Sequence, residues 1–529
     1  MHIRATAVAT PERPAIVMHP SGTVVTFGEL EARANRLAHL FRSAGLVEGD
    51  AVAILMENSE HMHAVMWAAR RAGLYYVPIN THLTAAEAAY IIDNSGAAAV
   101  VGSAKLSPTL AGLDSELPNG LPPLRLLVGG PGPAAPGAAG NLDGWKSYPE
   151  CVASQPDTPI ADEIEGDLLQ YSSGTTGRPK GIRRALPHVP PDGAPGLMAA
   201  LVSYWMHPDA VYLSPAPLYH TAPSVWSMQT QAAGITTVVM ERFDAEGALD
   251  AIARHRVTHG QFVPVMFTRM LKLPPEVRNS YDVSSLERVM HAAAPCPVEI
   301  KKQMIEWWGP IIDEYYASSE AHGSTLITAD EWLARPGSVG RPMGGAVHIL
   351  DREGNEVPTG QPGEIYFEGG GDFEYLNDPA KTASSRNDRG WKTVGDIGYV
   401  DEDGYLYLTD RRHHMIISGG VNIYPQEAEN LLVTHPKVMD AAVFGIPDEE
   451  MGQQVKAVVQ TVEPSDANPA FADELSRWLR DRLAHYKCPR SISFEAQLPR
   501  ADTGKLYKQQ LIDRYAPGES GARGDRHGA

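Results

Sequence analysis

A short segment that combines hydroxyl side chains, glycines and a lysine is the strongest chemical signal in the sequence. It reads YSSGTTGRPKG over residues 171–181. Glycines let a backbone approach a ligand closely, hydroxyl groups donate hydrogen bonds, and a lysine adds a mobile positive charge. The GxxxxGK[ST] pattern of a Walker A loop is absent, because Pro179 separates Gly177 from Lys180. The segment therefore predicts a phosphate cradle of another kind, formed by Ser172, Ser173, Gly174, Thr175, Thr176, Gly177 and Lys180.

This segment resembles the signature of the adenylate-forming superfamily, which includes acyl-CoA synthetases, firefly luciferase and the adenylation domains of peptide synthetases. Other motifs of that superfamily follow in order, so the resemblance covers nearly the whole chain. It implies that Lys180 and the hydroxyl-rich segment hold the β- and γ-phosphates of ATP.

The sequence EYYASSE resembles the YGxTE loop of the same superfamily. The resemblance implies that Glu314 and Tyr315 flank the adenine, that Ser319 contacts the phosphate and that Glu320 holds Mg²⁺. Ala317 replaces the usual glycine and Ser319 the usual threonine. Serine keeps the hydroxyl group, so the expected phosphate contact survives the exchange.

Two further segments resemble the ribose site and the start of the C-terminal lid. Asp396 matches the aspartate that binds both ribose hydroxyls, and a carboxylate can accept from both. Arg411 matches the arginine that also reaches the ribose, and His413 stands at the hinge about which the lid rotates. The resemblance places Gly420 along the tunnel for the pantetheine arm of CoA.

Two residues match positions next to the reacting atoms. Lys505, in PRADTGKLYK, resembles the catalytic lysine that bridges the carboxylate and the α-phosphate. A cation at that position would stabilise the charge of the transition state. His220, in LYHTAP, resembles the gate between the carboxylate site and the thiol site.

The acid pocket implied by the resemblance is lined mainly by small residues. Small residues favour a roomy apolar cavity and a bulky hydrophobic acid, either long-chain or polycyclic like a steroid or terpenoid. The alternative is that they simply pack against large neighbours. The expected pocket residues are Ala222, Gly260, Val263, Ala292 and Ala294, with Ala293 expected at the cofactor.

Composition excludes several other classes of protein. The chain has 529 residues and a net charge of −19, which is a poor match for a nucleic-acid binder. Its three cysteines lie far apart and form no disulfide framework, so a reducing, cytoplasmic location is expected. No apolar run is long enough to span a bilayer, and the N-terminus does not resemble a signal peptide.

The elements that must position these residues alternate between helix and strand. Thr26 and Thr84 are typical helix caps, and residues 244–255 form a third capped helix. Strands are predicted at residues 51–55, 97–101, 235–240 and 261–265. This alternation predicts an α/β fold with helix-covered parallel sheets. Hairpin strands and a compact αβ pattern follow residue 385, with a helix predicted over residues 473–483.

Together with the resemblance, this pattern predicts a large N-terminal domain, residues 1–410, that contains a small β-rich subdomain. A hinge follows at residues 411–413, then a small mobile α+β lid at residues 414–512 and a disordered tail at residues 513–529.

The predicted activity is that of an ATP-dependent carboxylic acid–CoA ligase that works through acyl-AMP and uses ATP, Mg²⁺ and CoA. No nucleophile motif such as GxSxG is present, and this mechanism requires none. One alternative is an enzyme that loads a carrier protein or stops at acyl-AMP. A second is a non-catalytic nucleotide-binding protein of the same fold. The expected partners are small molecules, and a homodimer stays open.

Overall fold

The computed structural model describes most of the chain and leaves several short segments undescribed. The described residues are 2–129, 142–172, 179–191, 201–202, 204–411, 414–500 and 506–516.

The helices of the described residues are mostly short. They are α1 (Arg4–Ala9), α2 (Phe27–Ser43), α3 (Met62–Arg71), α4 (Ala85–Asn94), α5 (Ser107–Glu116), α6 (Tyr148–Ala153), α7 (Thr221–Ala232), α8 (Ala245–His255), α9 (Pro264–Leu271), α10 (Pro275–Arg278), α11 (Val298–Trp308), α12 (Ala329–Ala334), α13 (Pro379–Ser384), α14 (Pro425–Leu432), α15 (Pro469–Arg480) and α16 (Lys508–Tyr515). Short 3₁₀ turns occur at Ala104–Leu106, Pro464–Asp466 and His485–Lys487.

The strands fall into several sheets. They are β1 (Pro14–His19), β2 (Val24–Thr26), β3 (Ala51–Leu55), β4 (Tyr75–Pro78), β5 (Ala97–Ser103), β6 (Leu124–Val128), β7 (Lys146–Ser147), β8 (Asp167–Leu168), β9 (Gln170–Ser172), β10 (Lys180–Arg183), β11 (Val211–Ser214), β12 (Thr236–Met240), β13 (His259–Phe262), β14 (Arg288–His291), β15 (Ile312–Ala317), β16 (Ser324–Ile327), β17 (Ser338–Pro342), β18 (Ala346–Leu350), β19 (Gly363–Glu368), β20 (Glu374–Tyr375), β21 (Asp396–Val400), β22 (Leu406–Arg411), β23 (Ile416–Ser418), β24 (Val421–Ile423), β25 (Val438–Asp448), β26 (Gly452–Thr461) and β27 (Ser491–Phe494).

The largest sheet has a parallel half and an antiparallel half. Its order is β18-β19-β21-β22-β17-β16-β15-β14-β13-β11-β12-β1-β2. Strands β1, β12, β11, β13, β14 and β15 pair in parallel, whereas every pairing from β15 to β18 is antiparallel. Strand β15 therefore lies at the boundary between the helix-connected half and the β-rich half.

A second parallel sheet faces the first across a layer of helices. Its order is β7-β6-β5-β3-β4-β8. One hydrophobic core joins residues of α2 and α3 with residues of α7 and β12. Within this layer Trp67 Nε1 donates to Gln231 Oε1 at 2.8 Å, and His63 Nε2 lies 2.9 Å from Ser227 Oγ. One face of α7 is thus fixed against α3.

The C-terminal part has its own sheet and its own core. Strands β24, β23, β26 and β25 form an antiparallel sheet, and β27 pairs in parallel with β26. Buried residues of α14 and α15 pack against this sheet. Strand β22 is the last to join the largest sheet and β23 the first to join the C-terminal one. The exact domain boundaries and the mobility of the lid stay predictions.

The predicted α/β class is confirmed, and most predicted elements are present. Thr26 and Thr84 both form capping boxes, at α2 and α4. One strand prediction is wrong at its end: β13 stops at Phe262, and α9 begins at Pro264. Proline fits the first turn of a helix, where its missing N–H has no partner to lose. The C-terminal helix continues to Tyr515, so residues 513–515 are not part of a disordered tail. The rest of the predicted tail, from residue 517, lies outside the described residues.

No helix among the described residues is long and apolar enough to cross a membrane.

We expect Thr26→Ala to lower the free energy of unfolding by about 1 kcal/mol, because it removes the hydroxyl that accepts from the Glu29 amide. Thr26→Ser is the matched control, since serine retains that oxygen. Urea denaturation followed by circular dichroism measures the difference. Equal stability of the alanine and serine variants would contradict the capping role.

Candidate active site

One large cleft collects residues from both halves of the main sheet and from the C-terminal part. Its volume is about 2280 Å³. Residues that follow the carboxyl ends of β11, β13, β14 and β15 line it, which is where open α/β sheets bind ligands. Of the predicted site residues in the described part of the chain, those lining the cleft are Ser172, Lys180, His220, Ala222, Val263, Ala292, Ala293, Ala294, Glu314, Tyr315, Ser319, Glu320, Asp396 and Arg411.

The two described ends of the phosphate-cradle segment lie side by side. Strands β9 and β10 pair antiparallel, with Ser172 opposite Lys180. The Lys180 ammonium lies 5.9 Å from the centre of the Tyr375 ring and 3.9 Å from a carboxylate oxygen of Asp378. The remaining predicted members, Ser173, Gly174, Thr175, Thr176 and Gly177, lie outside the described residues.

Glu320 contacts the same tyrosine through its hydroxyl group. The Tyr375 hydroxyl donates to Glu320 Oε1 at 2.9 Å. Burial and the nearby carboxylate raise the pKa of Tyr375, so its phenol keeps its proton. Tyr375 therefore places Lys180 and Glu320 on one wall of the cleft.

Asp396 sits between two donors at the antiparallel side of the cleft. The Tyr316 hydroxyl donates to its Oδ2 at 2.5 Å, and Arg411 Nε lies 3.2 Å from its Oδ1. Strands β21 and β22 place Asp396 directly opposite Arg411. Burial, then the charge of Asp396, raises the pKa of Tyr316 well above its ordinary value, so the phenol stays a donor.

Sequence reasoning missed Tyr316. Successive side chains on a strand point to opposite faces, so the two tyrosines of β15 must diverge. Tyr316 reaches Asp396, whereas the Tyr315 hydroxyl accepts from Trp226 Nε1 at 3.1 Å and from Gln261 Nε2 at 2.9 Å. The alternation rule applied to EYYASSE separates the two residues, but it does not tell which one faces the ribose motif. The predicted contact of Tyr315 with adenine stays untested.

Glu314 is buried with two basic residues. Its Oε2 lies 2.9 Å from Lys301 Nζ and 3.2 Å from His291 Nε2. Burial alone would raise the pKa of this carboxyl, but His291 and Lys301 hold it at about 2. Lys301 is fully buried and also faces the Trp332 ring, 4.7 Å away. The Glu314 side chain is thus engaged within the protein, and its predicted contact with adenine stays a prediction.

The loop after β15 is fixed to the start of α7. Ser319 Oγ lies 2.7 Å from Thr221 Oγ1, one residue after His220. On its other side, Ser318 Oγ lies 2.7 Å from His322 Nδ1. Burial lowers the pKa of His322 to about 4, so this imidazole is neutral near pH 7. Both anchors hold Ser319 and His220 at the same end of the cleft.

The small residues predicted for the acid pocket divide into two groups. Ala222, Val263, Ala292 and Ala294 line the cleft. Gly260 does not, and a Cβ at this position would come within 2.9 Å of the Phe262 ring. In this structure the small size of Gly260 accommodates a buried neighbour, and its predicted place in the acid pocket stays a prediction.

Ala293, predicted at the cofactor, has a positive φ of 74° although it is not glycine. It lines the cleft in the tight turn that follows β14. An alanine in this region is strained and needs support from its surroundings.

Only some of the predicted hinge and lid residues belong to the described part of the chain. Asp410, beside the hinge, accepts from the Gln426 amide at 3.2 Å, which links β22 to α14. Gly420 lies in the exposed turn between β23 and β24 and does not line the cleft in this arrangement. His413 and Lys505 lie outside the described residues, but Arg500 and Leu506, on either side of the second, both line the cleft.

Known proteins resemble this chain along nearly its whole length. Residues 3–374 match the family described as AMP-binding enzyme, and residues 427–505 match the AMP-binding enzyme C-terminal domain. Long-chain-fatty-acid–CoA ligase FadD13 of Mycobacterium tuberculosis is 30% identical over 97% of this chain and 98% of its own. Feruloyl-CoA synthase of an Amycolatopsis species is 33% identical over 95% and 96%.

The fold is also that of a solved relative. The ATP-bound structure of MatB from Rhodopseudomonas palustris aligns with a TM-score of 0.77 and 27% identity, covering 98% of this chain and 99% of that one.

We expect Lys301→Met to destabilise the protein by about 3–5 kcal/mol near pH 7, because it leaves the Glu314 carboxylate without its ammonium partner. The double variant Lys301→Met/Glu314→Gln is the control, and it should recover much of the loss. Thermal unfolding measures both.

The same variant should change the pH dependence. In the native protein the lowered pKa of Glu314 gives stability that is present above about pH 4.5 and is lost toward pH 2. Without Lys301, only His291 opposes the effect of burial, so the pKa of Glu314 should be higher than in the native protein and the carboxyl should take up its proton at a higher pH. The deficit of the variant should therefore shrink between about pH 7.5 and pH 5. A deficit that stays constant over this range would contradict the assignment.

Proposed function

The chain belongs to the AMP-binding enzyme family of the adenylate-forming superfamily, and we propose from this premise that it joins a bulky hydrophobic carboxylic acid to coenzyme A. The activity is that of an AMP-forming acyl-CoA synthetase, which uses ATP, Mg²⁺ and CoA. The observation that supports the proposal is one cleft lined by the described residues that we propose for the phosphates, the ribose and the acid.

The proposed nucleotide site runs from Lys180 to Asp396. The Lys180 ammonium lies in the cleft and supplies positive charge for the β- and γ-phosphates. Asp396 is oriented by Tyr316 and Arg411 and offers carboxylate oxygens to the ribose hydroxyls. In this assignment Tyr316 positions the ribose aspartate, and Tyr315 faces the acid instead of the adenine.

Glu320 is suited to hold Mg²⁺. Only one of its oxygens accepts from Tyr375, and no basic side chain of the described residues lies within ion-pair distance of it. A cleft carboxylate of this kind is the oxygen ligand that Mg²⁺ prefers. The bound ion would neutralise phosphate charge, while the protein's own residues orient the nucleotide.

The proposed first half-reaction is attack by the acid carboxylate on the α-phosphorus of ATP. A bond forms from carboxylate oxygen to phosphorus, and the bond to the pyrophosphate oxygen breaks. Lys505 is proposed to stabilise the charge that develops at the α-phosphate, and Ser319 to donate to a phosphate oxygen. The Ser319–Thr221 contact holds that hydroxyl next to His220, at the proposed reacting end.

In the proposed second half-reaction the CoA thiolate attacks the acyl carbonyl carbon and AMP leaves. The C-terminal part turns about His413 and withdraws Lys505, and Gly420 comes to line the path of the pantetheine arm. Gly420 lies in an exposed turn in this structure, so its proposed role belongs to the other orientation of the lid.

The proposal of a bulky acid rests on the small cleft-lining residues. Ala222, Ala292 and Ala294 place no large side chain in the cleft, and Val263 adds an apolar surface. The names of the relatives range from a long-chain fatty acid and an aromatic acid to sulfoacetate, so the proposal of a bulky acid rests on the cleft residues and not on those names.

We expect Lys505→Ala to lower the rate of acid-dependent ATP–pyrophosphate exchange by about 100- to 1,000-fold, because it removes charge stabilisation in the first transition state. Lys302→Ala, at an exposed position of α11, is the matched control and should retain the rate. Exchange that is intact in the Lys505 variant would contradict the catalytic assignment.

We further expect release of AMP and formation of an acyl thioester to require CoA, with long-chain, aromatic and polycyclic acids preferred over acetate. Chromatography of the nucleotides and thioesters measures this for each acid, with and without CoA. Acyl-AMP that accumulates and moves only to a carrier protein would favour the loading enzyme. Binding of ATP without turnover of any acid would favour the non-catalytic alternative.

A further inference from the structure

The hydroxyl of Tyr315 has a hydrogen to donate and a fixed direction in which to donate it. A phenol oxygen carries one hydrogen and two acceptor positions. Both acceptor positions are occupied, one by Trp226 Nε1 at 3.1 Å and one by Gln261 Nε2 at 2.9 Å. Burial raises the pKa of Tyr315 to about 12, so the proton is present at neutral pH. Within the described part of the chain, nothing accepts it.

A second donor without an acceptor lies on the same wall. The Nε1–H of Trp205 is buried and has no hydrogen-bond partner among the described residues, and the side chain lines the cleft. The Trp205 and Trp226 rings lie 5.5 Å apart, and those of Trp226 and Tyr315 lie 6.1 Å apart. We call this wall the distal chamber, formed by Leu201, Trp205, Trp226, Gln229, Gln261 and Tyr315.

Helix α7 sets the distance between the distal chamber and the proposed reacting end. Ala222, Trp226 and Gln229 are spaced i, i+4, i+7 and all line the cleft, so they share one face of the helix. Trp226 lies six residues after His220, which is about 9 Å along the helix axis at 1.5 Å per residue. The opposite face is held by α3 through Ser227 and Gln231. The Tyr315 hydroxyl therefore faces a part of the acid remote from its carboxylate.

We propose that the acid carries, at the far end of its hydrophobic body, a neutral oxygen that accepts a hydrogen bond from Tyr315. This inference rests on the proposed function and specifies its substrate class: an ether, carbonyl or hydroxyl oxygen on an aromatic, polycyclic or long-chain acid. A buried donor left without an acceptor disfavours the analogue that lacks this oxygen.

The absence of charge on the six residues of the distal chamber indicates that the oxygen of the acid is neutral. All six residues that form the chamber are uncharged, and none could pair with an anion. A second carboxylate would lose its hydration there without gaining a cation from these six residues. The class is therefore a monocarboxylic acid with a neutral polar end.

Acids that differ only by oxygen for methylene test this proposal. Suitable pairs are 3-(4-methoxyphenyl)propanoate with 3-(4-ethylphenyl)propanoate, 10-methoxydecanoate with dodecanoate, and a keto polycyclic acid with its exocyclic-methylene analogue. The ether and keto oxygens accept but cannot donate, so they report on the donor alone. For at least one pair we expect kcat/KM for pyrophosphate release to be about tenfold higher with the oxygen.

Tyr315→Phe should remove that preference by lowering kcat/KM for the oxygen-bearing acid, with little change for its isostere. Tyr212→Phe is the matched control: Tyr212 is buried, its hydroxyl has no partner among the described residues, and it does not line the cleft. This control should keep the preference.

Equal loss for both members of every pair in Tyr315→Phe would overturn the proposal, because it would indicate a packing role. The proposal would also be overturned if no pair showed a preference for the oxygen-bearing acid. That result is expected if an ordered water accepts the hydrogen bond from the Tyr315 hydroxyl. Quenching of tryptophan fluorescence by each acid gives binding ratios without turnover. A binding preference without pyrophosphate release would refute the proposed function and leave the chamber assignment intact. Pyrophosphate release without a preference would leave the proposed function intact and refute the chamber assignment.

Discussion

The alternation of side chains at the end of β15 separates the two regions of the cleft that we propose for the nucleotide and for the acid. Tyr315 and Tyr316 are neighbours in sequence, yet one hydroxyl bonds to Trp226 and Gln261 and the other to Asp396. The strand pairs in parallel with β14 and antiparallel with β16, so it belongs to both halves of the sheet. A shift of one residue in its register would exchange the two tyrosines and disrupt both regions at once.

The register of β15 is supported by a buried charge. Glu314 pairs with Lys301 of α11 and lies beside His291 of β14, so it ties the strand to a helix and to its parallel neighbour. Isolated burial of a carboxylate is strongly unfavourable, and a one-residue slip would leave both Glu314 and Lys301 unpaired. The ion pair therefore adds little net stability to the correct register but opposes the wrong ones.

Features that depend on residues close together in sequence, such as helix caps, were predicted. Contacts between residues far apart in sequence were not. The capping boxes at Thr26 and Thr84 involve a side chain and an amide three residues away, so the local pattern was sufficient. The site motifs were found through a family resemblance, which transfers roles by position. It gave no indication that Glu314 is paired with Lys301 or that Gly260 accommodates Phe262, since both contacts depend on tertiary packing.

Helix α7 connects the distal chamber, where we propose that the acid is selected, with the proposed reacting end of the cleft. The first residue of α7 contacts Ser319, and its second turn carries Trp226, which orients the Tyr315 hydroxyl. Its other face is hydrogen-bonded to α3, which opposes a change in the separation between these ends. An acid that places its far oxygen at Tyr315 would bring its carboxylate to a defined distance from the phosphate. Because errors of about 1 Å in such placement cost large factors in rate, specificity at the distal chamber would appear in kcat as well as in binding.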